Sequence, residues 1–328
     1  VLIFKEETLT MSQSQKHIEI VPYNPSWPEL FEVEASFIKQ ALGNNLVALH
    51  HVGSTAVPGL VAKPKIDMIG VVKDPGDVKE KLAAMGIDYR GEYNIPMHYG
   101  FSKRGDVDVN LHIYEEGHPE IELNLFFRDY LRTHSIIRDE YAALKQNLLK
   151  DPTSFETKDS PFTQYTLRKG DFIRKVLREA GFNHMRMLKC NDDTEWATAE
   201  NFRQKYFFDK VPIKDPYKWT FNHNDHAHLI LYKGVAIIGY AHLQFWSDDR
   251  AALRIIVIEQ PFRSQGFGGQ FLELIEKWIR INNRKSIHAE ASPQALFFYK
   301  KHGYIDMPFN NPEGDETHPS DTPVGKIL

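Results

Sequence analysis

Two hydrophobic rhythms alternate along this chain: period-two or unbroken apolar runs that predict strands, and three-and-four spacings that predict helices. They are clearest in the second half, where Leu253 to Ile258 is apolar except at Arg254 and predicts a buried strand. After it, Phe271, Leu272, Ile275, Trp278 and Ile279 fall on one side of a predicted helix, with Gln270, Glu273, Glu276, Lys277 and Arg280 on its wet side. Ser286 to Ala291 reads as another strand. It leads to a short helix that Ser292 caps, Pro293 enters and Gly303 stops. Upstream, Met185 to Cys190 reads as a strand, Thr194 to Asp209 as a helix, and further strands lie near Leu229 and from Gly234 to Phe245.

The first half carries its own set. A helix capped by Ser26 runs to Leu42, and Leu46 to Val52 is a strand. The loop Gly53 to Leu60 is followed by Lys63-Pro64-Lys65, which feeds a buried strand ending at Val72. Val107 to Ile113 alternates, which places Asp108, Asn110 and His112 on one side. Tyr130, Leu131, His134, Ile137, Tyr141, Leu144 and Leu148 form a helical stripe between Arg128 and Leu149, read as core packing. Ser160-Pro161 opens a last helix, carrying Phe172, Ile173, Val176 and Leu177 before Gly181. The pattern predicts an α/β (α+β) chain: a tail at 1–17, one domain at 18–182 and a second at 184–328, with so little linker that the two touch.

The turn between the Leu253–Ile258 strand and the next helix is Arg263-Ser264-Gln265-Gly266-Phe267-Gly268-Gly269. The first amides of a helix lack partners, and the helix dipole makes that end partly positive, so an anion is favoured there. Gly266, Gly268 and Gly269 keep side chains clear and admit positive φ, while Arg263 brings a full charge. Such a turn suits a diphosphate.

Arg-x-x-Gly-x-Gly at the head of a helix, followed by Ala295-x-x-x-Tyr299 and the ending Lys301-His302-Gly303-Tyr304, resembles the GNAT family of acetyl-CoA-dependent N-acetyltransferases. The resemblance covers the second domain. It implies the acyl-CoA N-acyltransferase fold and acetyl-CoA as cosubstrate. Arg263, Ser264, Gln265, Gly266, Phe267, Gly268 and Gly269 would hold its pyrophosphate. The backbone of Ile256, Val257 and Ile258 would pair with the pantetheine arm, and Tyr299 would protonate the leaving thiolate. Ser292, which stands where many members carry asparagine, would also contact the coenzyme.

Amine acetylation also needs the amine's proton removed. Glu259 is the candidate base, with Asp248 and Asp249 nearby and water or a backbone carbonyl as alternatives. His223, His226 and His228 precede a strand; without an accompanying cysteine or an H-E-x-x-H helix they are read as a strand approach or acceptor-pocket wall rather than a zinc site.

In the first half, Gly53-Ser54-Thr55-Ala56-Val57-Pro58-Gly59-Leu60, Lys63-Pro64 and Ile66-Asp67, with Asn110-Leu111-His112 and Phe127 to Arg132, resemble the GrpB family. Gly-Ser followed by an aspartate on a strand is also the layout of nucleotidyltransferases related to DNA polymerase β. That resemblance implies a mixed sheet with helices and a polar site from Gly53, Ser54, Thr55, Lys63, Asp67, Asp108, His112 and Arg128, with a nucleotide and magnesium as candidate ligands. Ile69 occupies the position two residues after Asp67, where a second carboxylate would be needed for a metal pair.

Composition narrows the setting. A net charge of −4 and a pI near 6.5 argue against a nucleic-acid-coating protein. A single cysteine, Cys190, excludes an internal disulfide and fits a reducing, cytoplasmic compartment. No apolar run approaches a membrane span. Val1-Leu2-Ile3-Phe4 lacks a basic stretch and a cleavage site, and Met11 is a candidate start. The expected function is acetyl transfer to an unidentified small-molecule or protein amine. The alternatives are a nucleotide-binding or nucleotidyl-transferring protein with a regulatory acyl-CoA site, and a non-catalytic coenzyme sensor.

Overall fold

The computed structural model describes residues 19–157, 160, 162–209, 214–312, 314 and 318–328. The expected tail, the apolar opening, the Met11 start and Pro161 lie outside the described residues. Two sheets organise the rest. The first half contains α1 (Trp27–Leu42), β1 (Leu46–Val52), β2 (Lys65–Val72), α2 (Val78–Ala83), β3 (Asp88–Gly91), β4 (Tyr99–Lys103), β5 (Asp108–Glu115), α3 (Pro119–Thr133), α4 (Ser135–Lys150), α5 (Gln164–Leu167) and α6 (Gly170–Glu179). Its sheet order is β1-β2-β5-β4-β3, with β2 and β5 parallel and the other pairs antiparallel.

Alternation along β2 and β5 gives the sheet two unlike faces. Ile66, Met68, Val109, Leu111 and Ile113 pack under Trp27, Phe31, Ala35, Ile38 and Leu42 of α1. Asp67, Asn110 and His112 turn to the other face, which helices α3 to α6 flank. Ser26 makes no side-chain cap; its own amide is held by Asn24 Oδ1 at 2.9 Å. The stripe expected from Arg128 to Leu149 belongs to two helices, broken at His134. There the Thr133 hydroxyl donates to the carbonyls of Asp129 and Tyr130, and His134 Nδ1 lies 2.9 Å from Tyr130 O, so side chains compete with the helical ladder. The last helical segments start at Gln164 and Gly170, not at Ser160, and Gly181 at φ 77° ends them.

The second half comprises β6 (Met185–Lys189), α7 (Asp193–Arg203), β7 (His226–Lys233), β8 (Ala236–Phe245), β9 (Arg250–Ile258), α8 (Phe267–Ile281), β10 (Ser286–Ala291), α9 (Leu296–Lys301), β11 (Ile305–Asp306) and β12 (Thr322–Ile327). Its sheet order is β11-β12-β10-β9-β8-β7-β6. The α8 stripe of Phe271, Leu272, Ile275, Trp278 and Ile279 is buried against one face, each side chain contributing on the order of 2 kcal/mol. The opposite face receives Ala199 and Phe202 of α7, which Asp192 and Glu195 start with a reciprocal capping box.

The halves are joined through loop 92–98. Glu92 accepts from Trp278 Nε1 at 2.8 Å and from Lys189 Nζ at 3.1 Å, the Lys189 amide donates to Asn94 O at 2.8 Å, and Met97 enters the core beneath α8. Arg186 adds a buried bond to Glu120 at 2.8 Å. No described helix is long and apolar enough to cross a membrane.

Candidate functional site

In the second half the decisive feature is a wedge opened by one extra residue. β8 and β9 slip register between His242 and Leu243, which pair with Ile255 and Leu253, so Arg254 is the bulged residue. A bulge bends its strand, and β9 pairs with β10 only at Arg250 to Ala252, opposite Ser286 to His288, before the two part. The Glu259 amide donates to Ile238 O at 2.8 Å, so by antiparallel alternation Val257 bonds to Tyr240 while the amides of Ile256 and Ile258 face the wedge. Of the three residues expected to offer backbone to a ligand, Val257 is thus committed to the sheet.

The wedge points to the start of α8. Ser264 sits at φ 62° and Gly266, the N-cap, at φ 86°. Only Gly266 serves the conformation of the turn. A Cβ on Gly269 would lie 2.5 Å from His302 Cε1, and one on Gly268 would lie 3.4 Å from Phe298, so those two glycines let α9 pack on α8. Arg263 is an anchor, donating through Nε to Ile258 O at 2.8 Å and lying 4.9 Å from the Tyr206 ring centroid. Gln265 folds back onto Pro261 O. Phe267 packs against the core and near Phe262.

Tyr299 on α9 is buried, and burial pushes its phenol well above its usual range, so it stays protonated. Ser292 does not cap with its side chain: its carbonyl accepts from Ala295 and Leu296, and α9 begins at Leu296. Glu259 lies 2.5 Å from Lys205 Nζ. Burial alone would raise its carboxyl, but Lys205, Tyr206 and Arg263 outweigh that and hold it below the usual range, which makes it a poor base. Asp248 and Asp249 are paired to Arg250 and Lys285.

On β7 and β8, beside β9, lies a polar network of which the sequence marked His226 and His228 but not Arg203, Asp215, Tyr240 or His242. Arg203 is 1% exposed and grips Asp215 through two bonds of 2.5 and 3.1 Å, and it also reaches Tyr240 and His242. His226 stands 2.9 Å from His242, and His228 stands 2.6 Å from the Tyr240 hydroxyl. Burial, then neighbouring charge, lowers His226 to about 4 and His228 to about 3, so both are neutral at pH 7. Among the described residues no group of three or more His, Cys, Asp or Glu is placed to hold a metal ion.

In the first half, a cavity of about 910 Å³ opens on the polar face of the sheet. Gly53, Ser54, Thr55, Lys63, Asp67 and His112 line it. Two expected members do not. Arg128 turns to His51 O and Asp129, and Asp108 sits at the start of β5 between Lys65 at 3.9 Å and Arg104 at 3.8 Å. Lys145 and Lys169 take part instead.

The comparisons with known proteins divide the chain as the sheets do. Residues 17–179 match the model of the GrpB protein family and residues 176–304 that of the Acetyltransferase (GNAT) family. A UPF0157 protein of Halalkalibacterium halodurans is 38% identical over 148 residues, 43% of this chain and 76% of that protein. The chain belongs to the GrpB family. Its second half is a GNAT acetyltransferase domain. YqkA of Bacillus subtilis, a UPF0157 protein, is 41% identical over 171 residues, 51% of this chain, and the chain spans about half (48%) of YqkA's length. The crystal structure of the conserved protein GrpB from Enterococcus faecalis is 33% identical, with a TM-score of 0.44 over 49% of this chain and 96% of that one.

Within the GrpB domain, Asp67 accepts from Asn110 Nδ2 at 2.7 Å, and Asn110 in turn accepts from Arg104. One carboxylate, already bonded, between an asparagine and lysines is not a donor set for magnesium. Gly53 fits Asp67 closely: at φ 71°, its Cβ would stand 2.5 Å from Asp67 Oδ2. Gly53→Ala is expected to cost about 2 kcal/mol from positive φ and the displaced carboxylate, read as a lower urea midpoint with unchanged slope. Lys145 was visible as a charge within the apolar stripe Tyr141, Leu144, Leu148, the one signal that this helix lines a site. Lys169 gives no such signal.

Proposed function

We propose that the GNAT domain transfers an acetyl group from acetyl-CoA to an amine. The observation that carries this reading is the wedge between β9 and β10, whose free Ile256 and Ile258 amides run toward the Gly266-capped start of α8. An extended pantetheine arm adds to that edge as a strand would, and the pyrophosphate takes the amides and the positive dipole end of the helix. The amine nitrogen bonds to the thioester carbonyl carbon, the carbon–sulfur bond breaks, and the departing sulfur takes the Tyr299 phenol proton. The amine attacks as its free base, the surplus proton of the adduct leaves to water, and solvent returns a proton to the Tyr299 phenolate. Lys205 keeps Glu259 out of that role.

Calorimetry with acetyl-CoA, followed by thiol release over a panel of amines, tests the reading. Absence of binding heat refutes it. Tyr299→Phe is expected to lower kcat about 10²-fold with acetyl-CoA affinity unchanged, because it removes a proton donor and no binding contact. An unchanged kcat would remove Tyr299 from the chemistry.

A further inference from the structure

The carboxylates first expected to serve the wedge are committed elsewhere: Glu259 to Lys205, Asp248 to Arg250 and Asp249 to Lys285. Glu290 on β10 is not. Its Oε1 is buried and accepts no hydrogen bond from any described residue. The other carboxylate oxygen in that condition, Glu276 Oε1, belongs to a group whose second oxygen takes Lys326 Nζ at 2.6 Å, so its charge is balanced. A carboxylate half-buried without a partner costs stability, and a glutamine at 290 would fill the same space without the charge. Packing therefore gives this charge no purpose.

Its place in the sheet does. Ile287, Ala289 and Ala291 of β10 pack into the core beneath α8, so by strand alternation Ser286, His288 and Glu290 turn to the opposite face. His288 stands opposite Ala252, the last pair before β9 and β10 part, and Glu290 follows two residues later, just past the apex of the wedge. Tyr299 belongs to the other side, in the core with Phe271 and Leu272. Because β9 runs from the apex toward α8, a pantetheine arm that starts at the Gly266 turn and follows the Ile258 and Ile256 amides carries its thioester toward the apex. The thioester then has a proton donor on one face of the sheet and an unpaired carboxylate on the other.

We propose that Glu290 receives the acceptor amine as its ammonium ion and removes one proton before attack, which makes the acceptor a basic alkylamine. This deepens the acetyl-transfer reading of the same wedge and rests on it. The Glu290 carboxylate takes one N–H proton, which frees the nitrogen lone pair to bond to the thioester carbon, and the resulting carboxylic acid then gives that proton to water. The remaining steps are those already given for the adduct and for Tyr299. A charge-assisted bond to a carboxylate is roughly twice as strong as a neutral one, so an ammonium gains most here. Aromatic amines, uncharged at neutral pH, gain neither the attraction nor the activation.

The test measures acetyl-CoA binding by the full chain, and thiol release with tyramine and putrescine as alkylamines and aniline as the neutral probe. The parent chain is expected to favour the alkylamines in kcat/KM. Glu290→Gln, nearly the same in shape, is expected to lower their kcat/KM about 10²-fold or more, with acetyl-CoA affinity within about twofold of the parent. The rate left to the variant should rise about tenfold per pH unit between about pH 7 and 9, as the free-base fraction of an alkylamine does, and aniline should change less than about threefold. Absence of acetyl-CoA binding by the parent would overturn the acetyl-transfer reading and this one with it. The assignment of Glu290 alone is overturned if the parent binds acetyl-CoA but releases thiol with neither alkylamine or favours aniline. It is equally overturned if Glu290→Gln keeps the parent's rate and pH profile, slows aniline as much as the alkylamines, or loses acetyl-CoA.

Discussion

Gly266→Glu is expected to weaken acetyl-CoA binding by at least about a hundredfold, a loss of roughly 2.7 kcal/mol or more, while the chain stays folded. The reason lies in the turn itself. At φ 86° the backbone is in the left-handed region, which costs a residue with a Cβ about 1 kcal/mol, and the new carboxylate takes the position that the proposed reading assigns to the coenzyme phosphate at the positive end of the helix dipole. The fold tolerates the change because a Cβ there meets only Gln270 Nε2, at 3.6 Å. Gly269→Ala makes the contrast: its Cβ displaces the His302 ring without adding charge, so coenzyme affinity is expected to change little. Calorimetry on both variants checks this. Equal affinity for Gly266→Glu and the parent would move the phosphate site elsewhere and take the proposed activity with it.

A steep loss of stability between pH 6.5 and 5 is the second large effect expected. Burial is the main cause that lowers His51 to about 4, His98 to about 3 and His228 to about 3; nearby arginines add to it at His51 and His228, and His112 does so at His98. Folded-state values below the unfolded value of about 6.5 mean that the stability these groups contribute is present above pH 6.5 and is lost as pH falls toward the folded values. At pH 5 each has lost about 2 kcal/mol, together about 6, against a total stability of about 5–15 kcal/mol. Glu195 works the other way. Burial, then Asp192, raises its carboxyl to about 7, so its contribution returns as pH falls through 7 and offsets roughly one histidine. Urea midpoints at pH 7, 6 and 5 should fall in order. A flat series would mean that these imidazoles are not neutral and buried in the folded protein.

Where a reading rested on local pattern, the sequence was a good guide. β1 runs over the same seven residues that its hydrophobic pattern marks, and the α8 stripe is the one the three-and-four spacing picks out. Side chains acting on nearby backbone were harder to read. The break at His134 depends on hydroxyl and imidazole bonds to Tyr130 O, and the start of α9 shifts to Leu296 because Ser292 contributes its carbonyl rather than its hydroxyl. Long-range charge was harder still. Glu259 is a candidate base until Lys205, 54 positions away, is brought against it, and Arg128 fits a phosphate site until it turns to His51 O.

The sequence by itself determined the two domains' families, the strand-turn-helix at Gly266 and the polar face carrying Asp67, because these depend on residues close in the chain and on periods that one segment can display. Only the tertiary structure decided which glycine serves a turn and which serves packing, that one bulged residue at Arg254 opens β9 away from β10, and that lysines from distant elements line the same cavity as Asp67. Each of those depends on register and on the desolvation of charges gathered from distant parts of the chain, and neither register nor dielectric environment is a property of any single stretch of residues.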